Sequence, residues 1–254
     1  VSNMFNDCSE FNQPLNNWNV SSVTNFQSMF QECTVFDQPL ATWDVSKATG
    51  NFSNSAGGLA GMFQYARAFN QPLNTWNVSN CRVFSSMFWG AHKFNQPLNN
   101  WNMSNAVKTN RMFHDARAFN QDIGNWTFTK LADMSYMFGN QNAVSAPGIA
   151  FNKNISSWNV STVTDFTEAF ANANNFDQPL NTWNVSNATS IAGMFRGATV
   201  FNRPLNTWNI SKVTTLASIF ASTDAFNQDI SMWDTTNVTN MSSIFNSAKA
   251  FNGA

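Results

Sequence analysis

Charge is what this chain has least of. Only 11% of its 254 residues are Asp, Glu, Lys or Arg, and the formal net charge is -1, against a usual charged share of about a quarter. The 13 basic residues form no run. That excludes nucleic acid as a partner, because its binders gather Lys and Arg on one face. No apolar stretch approaches the roughly 20 residues of a membrane span, so insertion into a membrane is excluded too. No signal peptide opens the sequence. It begins at VSNMF and stops at FNGA, both inside a repeat, and so reads as an excised or processed segment.

Catalytic groups are equally sparse. His92 and His114 hold unrelated positions without metal-ligand spacing, and both are expected as exposed residues on a helix face. Three glutamates, Glu10, Glu32 and Glu168, and scattered aspartates form no acid–base pair in sequence. A phosphate-cradling glycine loop, a nucleophile elbow and a zinc helix are all missing. These absences argue against an enzyme, and no cofactor or metal is expected. Of the three cysteines, Cys8 and Cys33 lie one repeat apart. Helices packed about 8 to 10 Å apart would keep them from bridging, so two thiols are expected, with Cys81 as a small core residue.

Large apolar side chains are abundant: 25 Phe, 10 Trp and 11 Met. They recur. Trp18, Trp43, Trp76, Trp101, Trp126, Trp158, Trp183, Trp208 and Trp233 are spaced 25 residues apart except where two insertions intervene. One insertion lies in GNFSNSAGGLAG (50–61) and the other in GNQNAVSAPGIA (139–150); their small and polar residues read as loops. The chain is therefore expected to be one domain over 1–254, made of about ten 25-residue repeats.

Within a unit, Leu15-x-x-Trp18-x-Val20 has the two-residue period of a short strand over about Asn17 to Ser21. Val23, Phe26, Met29 and Phe30 then step by three, three and one, the pattern of a helix face. Asp165 and Glu168 resemble a capping box at such a helix. About eight apolar side chains cannot be enclosed by one such coil and need the next coil stacked upon them. The spacing predicts a right-handed α/β repeat solenoid, with one short parallel β-strand and one short helix or helical turn per coil.

The Trp, Phe and Met columns are then core. Trp89 falls outside them and is a candidate exposed contact. Asn12 and its equivalents, with Asp37 and Asp177 in the same column, suit a turn in which the side-chain oxygen bonds the N–H two residues on. If Trp18 and Val20 point inward, Asn19 and Ser21 point outward. Asn19 continues up the stack as Asp44, Asn77, Asn102, Asn159, Asn184, Asn209 and Asp234, with Thr127 between. Ser21 continues in parallel as Ser46, Ser79 and their equivalents. This row of amides and hydroxyls is the candidate binding face, suited to a glycan or an extended peptide. Its bland alternative is side chains bonding their neighbours up the stack. Asn19-Val-Ser21 and its equivalents also match glycosylation sequons, which follow from one repeat and count as a single observation.

The string L-x-x-W-x-V-S-x-V-T-x-x-x-x-M-F, followed by A-x-x-F-N-Q-P, resembles the BspA-like leucine-rich-repeat surface proteins. In particular it resembles the 25-residue repeat first catalogued in mycoplasma lipoproteins and also abundant in marine microbes and algae. Leu15-Asn-Asn-Trp18-Asn-Val20 matches the L-x-x-L-x-L core, and Met29-Phe30, Met62-Phe63 and Met87-Phe88 match the M-F pair. Ala169-Phe170, Ile219-Phe220 and Ile244-Phe245 depart from it without disturbing the register. The resemblance implies a leucine-rich-repeat-like fold and an extracellular or cell-surface protein, acting in adhesion or in binding a protein or glycan. A structural spacer or coat element that associates end to end is the alternative, and an ice-binding surface is a weaker one.

Overall fold

The computed structural model describes residues 1–51, 56–140 and 148–253. The inner parts of both predicted insertions, 52–55 and 141–147, lie outside the described residues. Equivalent residues of successive repeats lie beside one another in register. The clearest mark is a one-residue-wide line of parallel bridges running Val83, Lys108, Asp133, Asp165, Ser190, Thr215, Asn240. Asn25 pairs with Gly58, so the first insertion is looped out without shifting this line.

The expected strand and helix are both absent. Among the described residues there is no helix, and no β-structure longer than an isolated bridge. The leucine-rich-repeat-like α/β architecture is thereby overturned. What replaces the helix is a series of tight turns. In the coil after Trp76, Met87 N–H bonds Phe84 O (3.1 Å), Trp89 N–H bonds Ser86 O (3.1 Å) and Ala91 N–H bonds Phe88 O (3.0 Å). These are three-residue closures, not the four-residue closures of an α-helix. Between them every second N–H points along the stack: Phe84 to Lys108 O, Ser86 to Asn110 O, Phe88 to Met112 O and Gly90 to His114 O, at 2.8–2.9 Å. A helix would have spent those donors on itself. Here they join one coil to the next.

All but one of the coils turn through two left-handed residues four apart, such as Ser28/Glu32 (φ 52° and 61°), Arg111/Asp115 (56° and 52°) and Gly193/Gly197 (59° and 69°); in the coil of Tyr136 only Tyr136 (60°) is left-handed. Positive φ at the third residue is what a type II turn requires. Phe26, Met29, Phe30 and Cys33 flank these turns and face the core. Their three-three-one spacing, which suits a helix face, therefore suits consecutive turns equally. Nothing in Ser28 or Glu32 announces a left-handed backbone, and only some coils place glycine there. The proposed capping box dissolves for the same reason. Asp165 lies on the bridge line with its Oδ1 accepting Thr167 N–H (2.8 Å), and Glu168 is left-handed (φ 50°).

The predicted strand at Asn17–Ser21 fails because other groups bridge the coils there. Trp43 donates its indole Nε1–H to Leu15 O (3.0 Å), and the bond recurs up to Trp233 with Leu205 O (3.1 Å). Buried Trp needs such a partner, which explains an indole where leucine would otherwise serve. Thr42, Thr75, Thr182 and Thr207 donate their hydroxyls to carbonyls of the preceding coil at 2.6–3.0 Å. Side chains thus do between coils what a strand ladder would have done.

The Asn12 column also differs from the expected turn. Its Oδ1 accepts the N–H of Asp37, 25 residues on, at 3.0 Å, not the N–H two residues on. Asn70, Asn95, Asn120, Asn152, Asp177, Asn202, Asn227 and Asn252 continue this ladder at 2.8–3.0 Å. Asn and Asp interchange in it because only the shared oxygen is used. Inside, the Phe30 column runs through Phe63, Phe88, Phe113, Phe138, Phe170, Phe195, Phe220 and Phe245, with ring centroids 5.6–6.0 Å apart and near parallel. Each such contact contributes about 0.5–1.5 kcal/mol beyond the area it buries.

Candidate binding surfaces

Asn19, Asp44, Asn77, Asn102, Asn159, Asn184, Asn209 and Asp234 are all exposed and occupy one column, as expected. Their bonding is local. Asn19 Oδ1 accepts the N–H (3.1 Å) and hydroxyl (2.8 Å) of Ser21. The same two-residue bond joins Asp44 to Ser46, Asn77 to Ser79, Asn102 to Ser104, Asn159 to Ser161, Asn184 to Ser186, Asn209 to Ser211 and Asp234 to Thr236, at 2.9–3.1 Å. Neighbouring coils are not linked through these side chains. Each asparagine is pinned by its oxygen, and its Nδ2 donor is left to solvent. Bonding to Ser46 and Thr236 holds the carboxyls of Asp44 and Asp234 below the usual carboxylate range. Ser21 and most of its column are half-buried beside this row.

A second surface comes from the turns. Several columns of the repeat vary from coil to coil, and among them are the residues 10, 13, 14 and 16 places after each register Trp, not counting inserted residues. Both tyrosines (Tyr65, Tyr136), both histidines, Trp89 and four of the six arginines (Arg67, Arg111, Arg117, Arg196) fall in these four columns. The tight turns stack them on one face. Tyr65 meets Trp89 (5.2 Å), and Trp89 meets the edge of His114 (5.5 Å), which in turn meets Tyr136 (6.0 Å). The Arg111 guanidinium lies over Tyr136 (4.4 Å) and faces Trp89 (5.7 Å). Gly90 (φ 68°) makes room for this row, since a Cβ there would fall 2.8 Å from Tyr65 Cε1.

The two histidines do not behave as exposed helix residues. His114 is 1% exposed, and burial pushes its pKa down to about 4, with Arg111 adding to the fall and the Tyr136 carbonyl and Asp115 opposing it. His92 is half-buried and bonds Asp115 Oδ2 (3.0 Å), while Arg117 Nε bonds Asp115 Oδ1 (2.9 Å). Trp89 is half-buried rather than a free contact. Along the same face, Arg196 pairs with Glu168 (2.6 Å) and Lys249 with Asp224 (2.7 Å). Between these pairs lies an open groove of about 520 Å³, floored by Gly197, Ala221, Ser222 and Ser247.

Among the described residues no three His, Cys, Asp or Glu side chains gather as a metal site would require, and no helix is long and apolar enough to cross a membrane. Cys8, Cys33 and Cys81 are free thiols. Cys33 Sγ donates to Phe5 O (2.9 Å), so the spacing of helices invoked for it does not apply.

The sequence matches a family model, described as a mycoplasma protein of unknown function (DUF285), in three consecutive stretches covering residues 1–58, 51–149 and 146–254. No curated protein matches it.

Proposed function

The chain belongs to this DUF285 repeat family along its length, and from that premise we propose that it is a non-enzymatic recognition module of a cell-surface or secreted protein, used for adhesion to a protein or glycan. The likeness of its repeat to the BspA-like surface proteins supports the setting. One observation supports the mode of contact: the exposed row Asn19 to Asp234, in which every Asn and Asp side chain is held by the same local bond and Thr127 alone interrupts the pattern. A donor fixed before binding loses little side-chain freedom on contact, and that loss costs about 0.5–1.5 kcal/mol for each mobile side chain. Repetition at coil spacing suits an extended partner lying along the stack.

The test is a screen of surface proteins and glycans, run beside the variant Asn102→Asp, Asn159→Asp, Asn184→Asp. Aspartate keeps the oxygen that binds Ser104, Ser161 and Ser186, as Asp44 and Asp234 do naturally, but removes the outward N–H. A ligand lost in this variant, with melting unchanged, supports the reading. A ligand retained at full affinity removes this row from the contact, and silence across the screen sinks recognition altogether.

A further inference from the structure

We propose that the turn face, on columns other than the Asn19 row, is a binding track for a neutral glycan chain lying along the stack. The first ground is placement. Four of the variable columns gather the chain's tyrosines, its out-of-register tryptophan and its histidines on one face. The core does not need them, because the Phe and register-Trp columns already fill it.

The second ground is the chemistry of that face. Its N-terminal half is an aromatic ridge of Tyr65, Trp89 and Tyr136, all half-buried and steadied by Arg111. Half-buried rings offer a rigid amphipathic surface at small entropic cost, and the C–H faces of a sugar ring can lie flat on them. The other half is the groove over Ser222, lined by hydroxyls, amides and backbone together with the paired charges Arg196, Asp224 and Lys249. Such a wall alternates donors and acceptors, as the hydroxyls of a sugar chain require.

The third ground is what this face lacks for other ligands. Its charges are largely matched, through Asp115 with Arg117 and His92, Glu168 with Arg196, and Asp224 with Lys249. No broad field of one sign is left to draw in a polyanion. A peptide adding itself as a strand needs an open backbone edge. Here the alternate N–H groups of each inner coil are already bonded to the next. From the coil of Trp89 to that of Ser222 there are five steps, or about 24 Å at the ~4.8 Å spacing of hydrogen-bonded chains. The track therefore favours oligomers over mono- and disaccharides.

Calorimetric titration of the whole chain with neutral oligosaccharides (β-glucans, chitin oligomers and mannans, from disaccharides to hexasaccharides) tests this. At least one class should bind, hexamers about tenfold or more tighter than dimers. Trp89→Ala and Ser222→Tyr should each weaken that binding about tenfold; Tyr65 shows that the Ser222 column accepts tyrosine at positive φ. Tyr65→Ser, which places in its column the residue found at Ser222 and Ser247, gives a second ridge variant should Trp89→Ala fail to fold. The Asn102→Asp, Asn159→Asp, Asn184→Asp variant should bind normally, so this proposal and the Asn-row reading fail separately. Binding of charged oligosaccharides only, no length dependence, or loss in only one of the ridge and groove variants overturns the track. So does the absence of binding by any neutral glycan.

Discussion

Asn95→Ala and Asn102→Ala delete the same atoms from the same repeat, seven residues apart, and should differ several-fold in cost. Asn95 Oδ1 accepts the backbone N–H of Asn120 (2.9 Å) and the side-chain amide of Gln121 (3.0 Å), all three residues being half-buried. Truncation leaves the Asn120 donor facing the next coil without an acceptor. Leaving a buried donor unpaired costs about 1–3 kcal/mol. Partial access to water puts this site toward the lower half, about 1–2 kcal/mol. Gln121 softens nothing for Asn120, since its amide keeps a separate bond to Asn95 O (2.9 Å). Asn102 Oδ1 instead accepts from Ser104 N–H at the exposed surface. Water replaces it there, and the change should stay within about 0.5 kcal/mol.

Urea unfolding of the two variants measures the difference, and amide exchange at Asn120 localises it. Exchange at that amide should accelerate in Asn95→Ala alone. Asn95→Asp should be close to neutral at pH 7, because Asp37 and Asp177 already serve in the ladder. Equal costs for the two alanine variants would refute the assignment of inter-coil cohesion to the Asn12 column. So would an Asn95→Asp change as damaging as the alanine.

Two further outcomes follow from buried groups. His114 has a folded pKa of about 4 against an ordinary 6.5, so the unfolded chain takes the proton first. Its contribution is whole above pH 6.5 and is lost as pH falls toward 4, reaching on the order of 3 kcal/mol at 1.4 kcal/mol per unit. His114→Gln should flatten the urea midpoint between pH 7 and pH 4.5, and an unchanged slope would refute the burial argument. The shifts at Asp44, Asp229 and Asp234 act below this window, since each is lowered from 3.8 and matters only as pH falls through that range. At pH 8, Cys8 should react with iodoacetamide in the folded protein. Cys33 and Cys81, each pushed up to about 12 mainly by burial, should wait for unfolding. Alkylation of all three at one rate would contradict their placement.

The register of the coils was legible in the Trp and FNQP spacings, and so was the inward set of Phe, Trp and Met in the inner coils, whereas Trp18, Met4, Met232 and Met241 are exposed. The backbone between them was not. Periodicity reports which residues share a side, and Phe26, Met29, Phe30 and Cys33 share one in a helix or in consecutive turns alike. The distinction rests on the sign of φ at residues such as Ser28, Glu32 and Arg111. Side-chain chemistry does not declare that sign except where glycine stands. Strand and ladder were confused for a related reason. Trp and Val two apart do share the buried side in the inner coils, but no strand forms, and the indoles and the threonine hydroxyls carry the bonds between coils there. The true bridge line passes through Val83, Lys108 and Asp133, residues too unlike one another to suggest a column.

The candidate faces divide along the same line. The outward row could be read directly because it repeats; what the sequence could not show was that Asn19 bonds Ser21 and leaves the next coil alone. The turn face is not legible in His92, His114 or Trp89 taken singly, since each is an oddity in its own unit. Aligned by register, four of the columns at which the coils disagree collect both tyrosines, both histidines and Trp89. In a stacked repeat, the constant columns are constrained by the coils above and below, as the Asn ladder and the indole bonds are. Columns released from that constraint are free to differ, and difference between coils is what any ligand longer than one repeat must read. The exposed Asn row gives such a ligand a ruler without a sequence, whereas Tyr65, Trp89, Arg111 and Tyr136 give it a direction and a register.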